Sequence, residues 1–136
     1  MPATLLYRIG AVVLVLFAAG HTFGFLNFKP PTDEGLAVRD AMHGVHLVPG
    51  KSYTYEGFYK GFGLFISAEM LFSAFVAWHL GSLAASNAQC IGALGWALVA
   101  LQVASLVLGW IYFNPLTVIF SGVALLCVAW ASWIAG

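Results

Sequence analysis

The sequence predicts an all-α polytopic membrane protein, an antiparallel bundle of four transmembrane helices with a structured polar loop between the first two. The composition indicates this fold class, because 62% of the 136 residues are hydrophobic and only 7% are charged. Soluble domains are about 25% charged, and so few charges cannot cover a surface that faces water. The charges are also clustered, since eight of the ten Lys, Arg, Asp and Glu residues lie between Lys29 and Lys60.

Four apolar stretches are long enough to cross a bilayer, whose hydrocarbon core of about 30 Å requires roughly 20 apolar residues in a helix. They comprise residues 5–26, 57–83, 91–113 and 116–135. Asn114 and Pro115 separate the last two, because proline cannot continue a helix but suits its first turn. At this length a single membrane domain over residues 1–136 is expected.

The polar loop, residues 27–56, carries signals for structure of its own. Thr32 is a suitable N-cap, and acidic residues in the next turn predict a short helix over residues 33–42. Residues 45–48 and 52–55 flank the Pro49-Gly50 turn and predict a β-hairpin.

The order of the spans places the loop on one side of the membrane and both termini on the other. Four Lys or Arg residues lie on the loop side, whereas Arg8 alone lies on the terminal side. The positive-inside rule then predicts a cytoplasmic loop.

Glycines at four-residue spacing occur where the first span ends and the second begins, at Gly20, Gly24, Gly57 and Gly61. This spacing lets two backbones approach closely, so we expect the two helices to touch at these glycines. The last two spans each carry one stripe of mostly small residues, which predicts a close-packed interior. The stripes are Gly92, Gly95, Val99, Gln102, Ser105 and Gly109, and Thr117, Ser121, Ala124, Val128, Ala131 and Ala135.

Glu69 is the strongest candidate for a functional residue. It lies about 18 Å along the second span, near the bilayer midplane, where ionising a carboxyl group is unfavourable and acidic residues often serve function. Gln102 and Cys127 lie at a similar depth, roughly 17 and 18 Å into their helices. We expect a neutral Glu69 that hydrogen-bonds to Gln102. This pair would either join two helices, stabilising the bundle by about 1 kcal/mol, or handle protons or a ligand.

A second group of candidates lies where the first two spans meet the loop. His21 is near the end of the first span, and Lys60 is one turn after Glu56, a favourable ion-pair spacing. These residues could line an entrance above Glu69. The alternative is that His21 bonds to backbone or water.

Asp40, His43 and His46 have the spacing of metal ligands on one helical face, and His with carboxylate suits zinc. Gly44, however, is expected to end the helix between them, so we predict no metal site, with these three residues as the candidates if a metal binds.

No cofactor is expected either. The histidines His21 and His79 lie at opposite membrane interfaces and cannot hold one haem between them. Two cysteines without a CxxC spacing exclude a disulfide framework, and the balanced charge excludes a nucleic-acid-binding face.

The segments HTFGFLNFKPPT (residues 21–32) and YEGFYKGFGLF (residues 55–65) resemble those of an uncharacterised family of small bacterial four-span membrane proteins. That resemblance implies four spans in a bacterial inner membrane and no particular activity, cofactor or site residue. In kind, the chain also resembles small multidrug transporters, which have four short helices and one membrane glutamate. Here Glu69 lies in the second helix rather than the first, and a polar loop is added.

Three functional hypotheses follow. The first is a binding or transport module for a hydrophobic or cationic small molecule, with Glu69 as its protonatable group. The second is a structural or accessory subunit, in a homo-oligomer or a larger membrane complex. The third is a membrane enzyme for a lipid-soluble substrate, with Glu69 as general acid and His21 or Cys127 as the second acid–base group. The expected partners are the bilayer, a hydrophobic small molecule and other membrane subunits, but no nucleic acid.

Overall fold

The computed structural model, which describes residues 2–136, contains four helices that are long and apolar enough to cross a membrane. The predicted all-α polytopic fold is confirmed, and the chain is a multi-pass membrane protein. The four spans are α1 (Ala3–Asn27), α3 (Tyr55–Ser86), α4 (Gly92–Tyr112) and α5 (Pro115–Ala135), and the short helix α2 (Asp33–Gly44) lies between α1 and α3. A single 3-10 turn, Ala88–Cys90, precedes α4.

The starts of α2 and α5 follow from their capping residues. The Thr32 hydroxyl accepts a hydrogen bond from the backbone N–H of Gly35 over 3.1 Å. The Asn114 side chain accepts bonds from the N–H groups of Leu116 and Thr117 over 3.0 and 3.2 Å. Each cap satisfies amide groups that the first helical turn leaves without a partner. The prediction that α2 begins after Thr32 is confirmed.

The predicted hairpin is much reduced in the structure. Instead of two strands, the described residues contain one antiparallel bridge between His46 and Thr54. Leu47 donates its N–H to the carbonyl of Tyr53 over 2.8 Å, and Gly50 turns the chain with a positive φ of 74°. The turn was therefore predicted correctly, but Tyr55 already begins α3, which leaves too few residues for a second strand.

Contacts between residues group the chain into two compact units. The bundle unit contains the chain up to Ala18 together with Glu69–Gly136, and the loop unit is Ala19–Ala68. That the whole chain forms one domain stays a prediction.

Within the bundle unit, neighbouring helices run antiparallel. Along α1 the residue numbers of the contacts with α5 rise, while those on α5 fall. The contacts join Tyr7 to Ser132, Gly10 to Val128 and Phe17 to Phe120. Contacts of α4 with α5 follow the same rule, since Gly95 lies against Ser132 and Gly109 lies against Thr117.

The interior of the bundle unit is built from the predicted small-residue stripes. Ala124, Val128 and Ala131 of α5 are completely buried, and Gly95, Gln102 and Gly109 of α4 are buried as well. A Cβ added to Gly95 would lie only 2.8 Å from the Tyr7 hydroxyl. Such close approach brings small residues into van der Waals contact, which drives helix association in a bilayer.

The glycine pairs do not form the predicted contact between α1 and α3. A Cβ added to Gly20, Gly24 or Gly61 would meet no atom within 4 Å. In the loop unit the two helices meet instead at Gly63, where an added Cβ would lie 2.7 Å from the ring of Phe25. Four-residue spacing shows that a close approach is sterically allowed, but it does not determine which helix face is used.

The outer faces of the spans remain apolar and exposed. Only 28% of the hydrophobic stretch of each span is buried, so most of its surface is available to lipid. All five tryptophans are among the exposed residues, as expected of rings that anchor helices at bilayer interfaces.

Candidate functional site

A cleft of about 560 Å³ lies in the loop unit, where α1 ends, α2 lies and α3 begins. Its first wall comes from the end of α1 and the segment that follows. Phe25 and Leu26 belong to the last turn of α1, and Phe28, Pro30 and Pro31 lead to α2. These five side chains are apolar, so this wall offers hydrophobic contact alone.

Phe25 is held in place by its neighbours on both helices. Its ring packs edge-on to Tyr59 at a centroid distance of 6.3 Å and lies 5.1 Å from the ring of His21. Behind it, Gly63 leaves room for the ring and for nothing larger than hydrogen. The sequence gives no direct sign of this wall, because it depends on the rotation of α1 against α3.

The second wall is one face of α2. Gly35, Val38, Arg39 and Met42 line the cleft at helical spacing. A Cβ added to Gly35 would lie 2.6 Å from the Cβ of Pro30. Only glycine allows the first turn of α2 to approach the proline segment so closely, and this contact sets the position of the wall.

The third wall belongs to the first turns of α3 and carries charge. Glu56, Tyr59 and Lys60 line it. Lys60 Nζ lies 2.8 Å from Glu56 Oε1, and His43 Nδ1 of α2 lies 2.5 Å from Glu56 Oε2. Both carboxylate oxygens of Glu56 are therefore engaged, and the His43 contact ties the end of α2 to α3.

The proposed metal ligands do not come together. Asp40 and His43 belong to α2, but that helix ends at Gly44, and His46 lies beyond it in the bridge to Thr54. Within residues 2–136, no group of three or more His, Cys, Asp or Glu side chains is placed to hold a metal ion. The sequence-based expectation that Gly44 ends the helix is confirmed.

His21 forms a polar network within the loop unit. Its Nδ1 lies 3.0 Å from the Ser67 hydroxyl, which also accepts a bond from Thr22 over 2.7 Å. The Ser67 hydroxyl also lies 3.1 Å from the Gly63 carbonyl, to which it can donate, so three groups share this hydroxyl. The described residues show no ion pair or hydrogen bond between His21 and Lys60.

Glu69 belongs to the bundle unit and is partly buried. Its Oε1 accepts a hydrogen bond from the Ser73 hydroxyl, one turn later on the same helix, over 2.9 Å. This bond takes the place of the expected one to Gln102. Ser73 follows Glu69 at i,i+4, a spacing at which side chains meet, so the sequence did contain a signal for this contact.

Gln102 and Cys127 also belong to the bundle unit. Gln102 is buried on α4 with 2% of its surface exposed. Cys127 is half-buried on α5, and its Cβ lies 3.4 Å from the position that a Cβ on Gly10 would take. The buried hydroxyl of Ser121 has no hydrogen-bond partner among the described residues. A role for any of these side chains in function stays a prediction.

The two segments that carry the family resemblance supply most of the cleft. Residues 21–32 and 55–65 contribute nine of its thirteen lining residues, and α2 contributes the remaining four. Compared with protein-family models, with curated proteins and with solved structures, the chain gives no significant match.

Proposed function

We propose that the protein is a binding module for a hydrophobic small molecule, which it holds in the cleft of the loop unit. The observation that carries this proposal is the cleft itself, with a volume of about 560 Å³ and a largely aromatic and aliphatic lining. Ligand-binding clefts measure roughly 300–1,000 Å³ and combine apolar walls with a few polar groups. Here the charged groups are Arg39, Glu56 and Lys60, and Thr32 and Tyr59 add hydroxyl groups.

The construction of the walls supports the proposal. Phe25 is fixed against Gly63, and Gly35 is fixed against Pro30. The contact from His43 to Glu56 holds the third wall against α2. A cleft that is already formed does not require its walls to be ordered when the ligand arrives, so less of the binding free energy is lost.

The position of the cleft also supports a ligand that dissolves in lipid. Phe25 and Leu26 end one membrane span, and Tyr59 lies in the first turns of the next. In this proposal an apolar molecule enters the cleft from the bilayer, at the ends of these helices.

Saturable photolabelling of the full chain in phosphatidylcholine vesicles tests the proposal. The probe is an uncharged long-chain alcohol that carries a diazirine. Labelling of cleft peptides should reach a plateau as the probe concentration rises, because the cleft holds a limited number of molecules. Labelling of the exposed apolar residues Ile119 and Leu126 on α5 should rise without a plateau, because they contact bulk lipid.

Two matched variants of α2 complete the test. Val38→Trp fills the cleft from an exposed lining position and should remove the saturable labelling. Leu36→Trp adds the same ring at an exposed position of α2 that does not line the cleft, and should keep it. Equal saturable labelling of the cleft peptides in both variants would refute the proposal. So would labelling of these peptides in the unmodified protein that reaches no plateau.

We also propose that residues 27–56 lie in the cytoplasm and that the membrane is a bacterial inner membrane. The four Lys and Arg residues on the loop side, against Arg8 alone on the other, support this orientation. The resemblance of residues 21–32 and 55–65 to bacterial four-span proteins supports the choice of membrane. Coupling of ligand binding to protonation of Glu69, and hence transport, stays a prediction.

A further inference from the structure

We infer that the ligand of the cleft is an anionic membrane lipid, with an acyl chain along the apolar walls and its headgroup at Arg39. This inference rests on the proposed function, because it names the class of molecule that the same cleft would take. It is carried by a difference among the charged residues that line the cleft: Glu56 and Lys60 are paired, whereas, within residues 2–136, Arg39 is not.

Glu56, the one acidic residue of the lining, already has a partner at each carboxylate oxygen. Glu56 is contacted at one oxygen by Lys60 over 2.8 Å and at the other by His43 over 2.5 Å. A cationic ligand would have to displace one of these partners before it could pair with Glu56. The other acidic residues of the loop unit, Asp33, Glu34 and Asp40, are not among the lining residues.

Arg39, by contrast, has no ion-pair or hydrogen-bond partner among the described residues, although it lines the cleft. With Glu56 balanced by Lys60, the lining keeps one net positive charge. A guanidinium group presents several N–H donors in a planar fork that suits phosphate and carboxylate oxygens. The cleft therefore combines an apolar interior with an unpaired anion-binding group.

The bilayer is the source of ligand that fits this arrangement best. Cationic groups beside the ends of membrane spans attract anionic headgroups, and the cleft is lined by the ends of α1 and α3. A lipid can then place one acyl chain against Phe25 and Met42 while its phosphate binds Arg39. The chain keeps an apolar environment and the phosphate keeps a polar one.

The test compares two photoactivatable lipids with the same diazirine-bearing chain in phosphatidylcholine vesicles. One has the anionic phosphatidylglycerol headgroup and the other the zwitterionic phosphatidylcholine headgroup. For the unmodified chain, the mole fraction that half-saturates labelling of the cleft should be about tenfold lower for the anionic lipid. Arg39→Gln should reduce this preference to about twofold or less, since the remaining cation of the lining, Lys60, is paired with Glu56.

Lys51→Gln is the matched control, because it removes a loop-unit cation that does not line the cleft, and it should keep the tenfold preference. Equal half-saturation by the two lipids in the unmodified chain would overturn the inference. So would a preference that Lys51→Gln reduces as much as Arg39→Gln does, because that result would show a general surface field.

The uncharged diazirine alcohol shows whether a negative result contradicts only the anionic ligand or the binding function as well. If it still labels the cleft saturably while the lipids show no headgroup preference, the anionic ligand is wrong and the binding function stands. If neither probe gives saturable labelling, both are wrong. Saturable labelling of Arg39→Gln by the alcohol also shows that this variant keeps its fold.

Discussion

Glu69 is bonded along its own helix rather than across the bundle. Ser73, which donates to its carboxyl group, is one turn away on α3 and is completely buried. A bond of this kind stabilises a helix locally and joins no two helices. The described contacts of Glu69 therefore do not supply the interhelical hydrogen bond that the sequence led us to expect.

Glu69→Gln should change the free energy of unfolding by less than about 0.5 kcal/mol. The amide oxygen of glutamine can accept the same bond from Ser73 at the same position, so no hydrogen bond is lost. Reversible unfolding in mixed micelles measures this value, and Glu69→Leu, which cannot accept the bond, is the comparison. A loss of more than about 1.5 kcal/mol in Glu69→Gln would show that the carboxyl group makes an interaction that an amide cannot replace.

The hydrogen-bond partner of Glu69 depends on helix rotation, which the sequence does not give. A rise of about 1.5 Å per residue places Gln102 and Glu69 at similar depths, and the structure buries Gln102. The rise says nothing about how each helix is rotated about its own axis, so it could not give the bonding partner. For the same reason Arg39 was not recognised as a lining residue, because its contacts depend on where α2 lies.

At the level of secondary structure, two glycines inside membrane spans have opposite surroundings. Gly95 lies where α4 meets Tyr7 of α1 and Ser132 of α5, and an added Cβ would approach both hydroxyl oxygens to 2.8 and 3.0 Å. Gly20, on α1, has no atom within 4 Å of the same position. The first glycine is required by packing, whereas the second is not.

Gly95→Ala should therefore destabilise the fold by about 1–3 kcal/mol, because the buried Tyr7 and Ser132 have to move. Gly20→Ala should be neutral or stabilising by up to about 1 kcal/mol, because alanine favours helix and meets no neighbour. Unfolding in mixed micelles of the two variants measures the difference. If Gly20→Ala destabilises the protein, that result would indicate that Gly20 does pack against another helix, as the glycine spacing predicted.

The caps of the helices could be predicted from the sequence and the loop could not be predicted fully. Thr32 and Asn114 act through hydrogen bonds to residues two or three positions away, and such local contacts are visible in the sequence. The predicted second strand, residues 52–55, competes with the start of α3 for Tyr55. That competition is decided by the longer helix, which the hairpin signal alone does not reveal.

At the level of the whole molecule, charge is distributed very unevenly between the two units. The loop unit contains Lys29, Arg39, Lys51 and Lys60, whereas the bundle unit contains Arg8 as its one Lys or Arg. The four spans and this imbalance are properties of composition and order along the chain. They could be predicted from the sequence because neither depends on how side chains pack.

The proposed orientation predicts the behaviour of reporter fusions in a bacterial host. With a cytoplasmic loop and four spans, a reporter fused after Gly136 should lie outside the cytoplasm. Alkaline phosphatase should be active there and green fluorescent protein should be dark. Replacing Ala3, Thr4 and Leu5 with lysine should shift the population towards the opposite result, and a fluorescent fusion to the unmodified chain would contradict the orientation.

The contact of Phe25 with Gly63 leaves no space behind the Phe25 ring, so this side chain cannot move away from the cleft. The ring lies where even one methyl group on α3 would collide with it, so a thick ligand cannot make room by pushing the ring backwards. It would have to displace α2 or separate α1 from α3, and the second change would break the bond from Thr22 to Ser67. A flat or thin molecule meets no such resistance. For the proposed binding function, this pair therefore predicts that thin ligands are favoured over thick ones, whatever their charge.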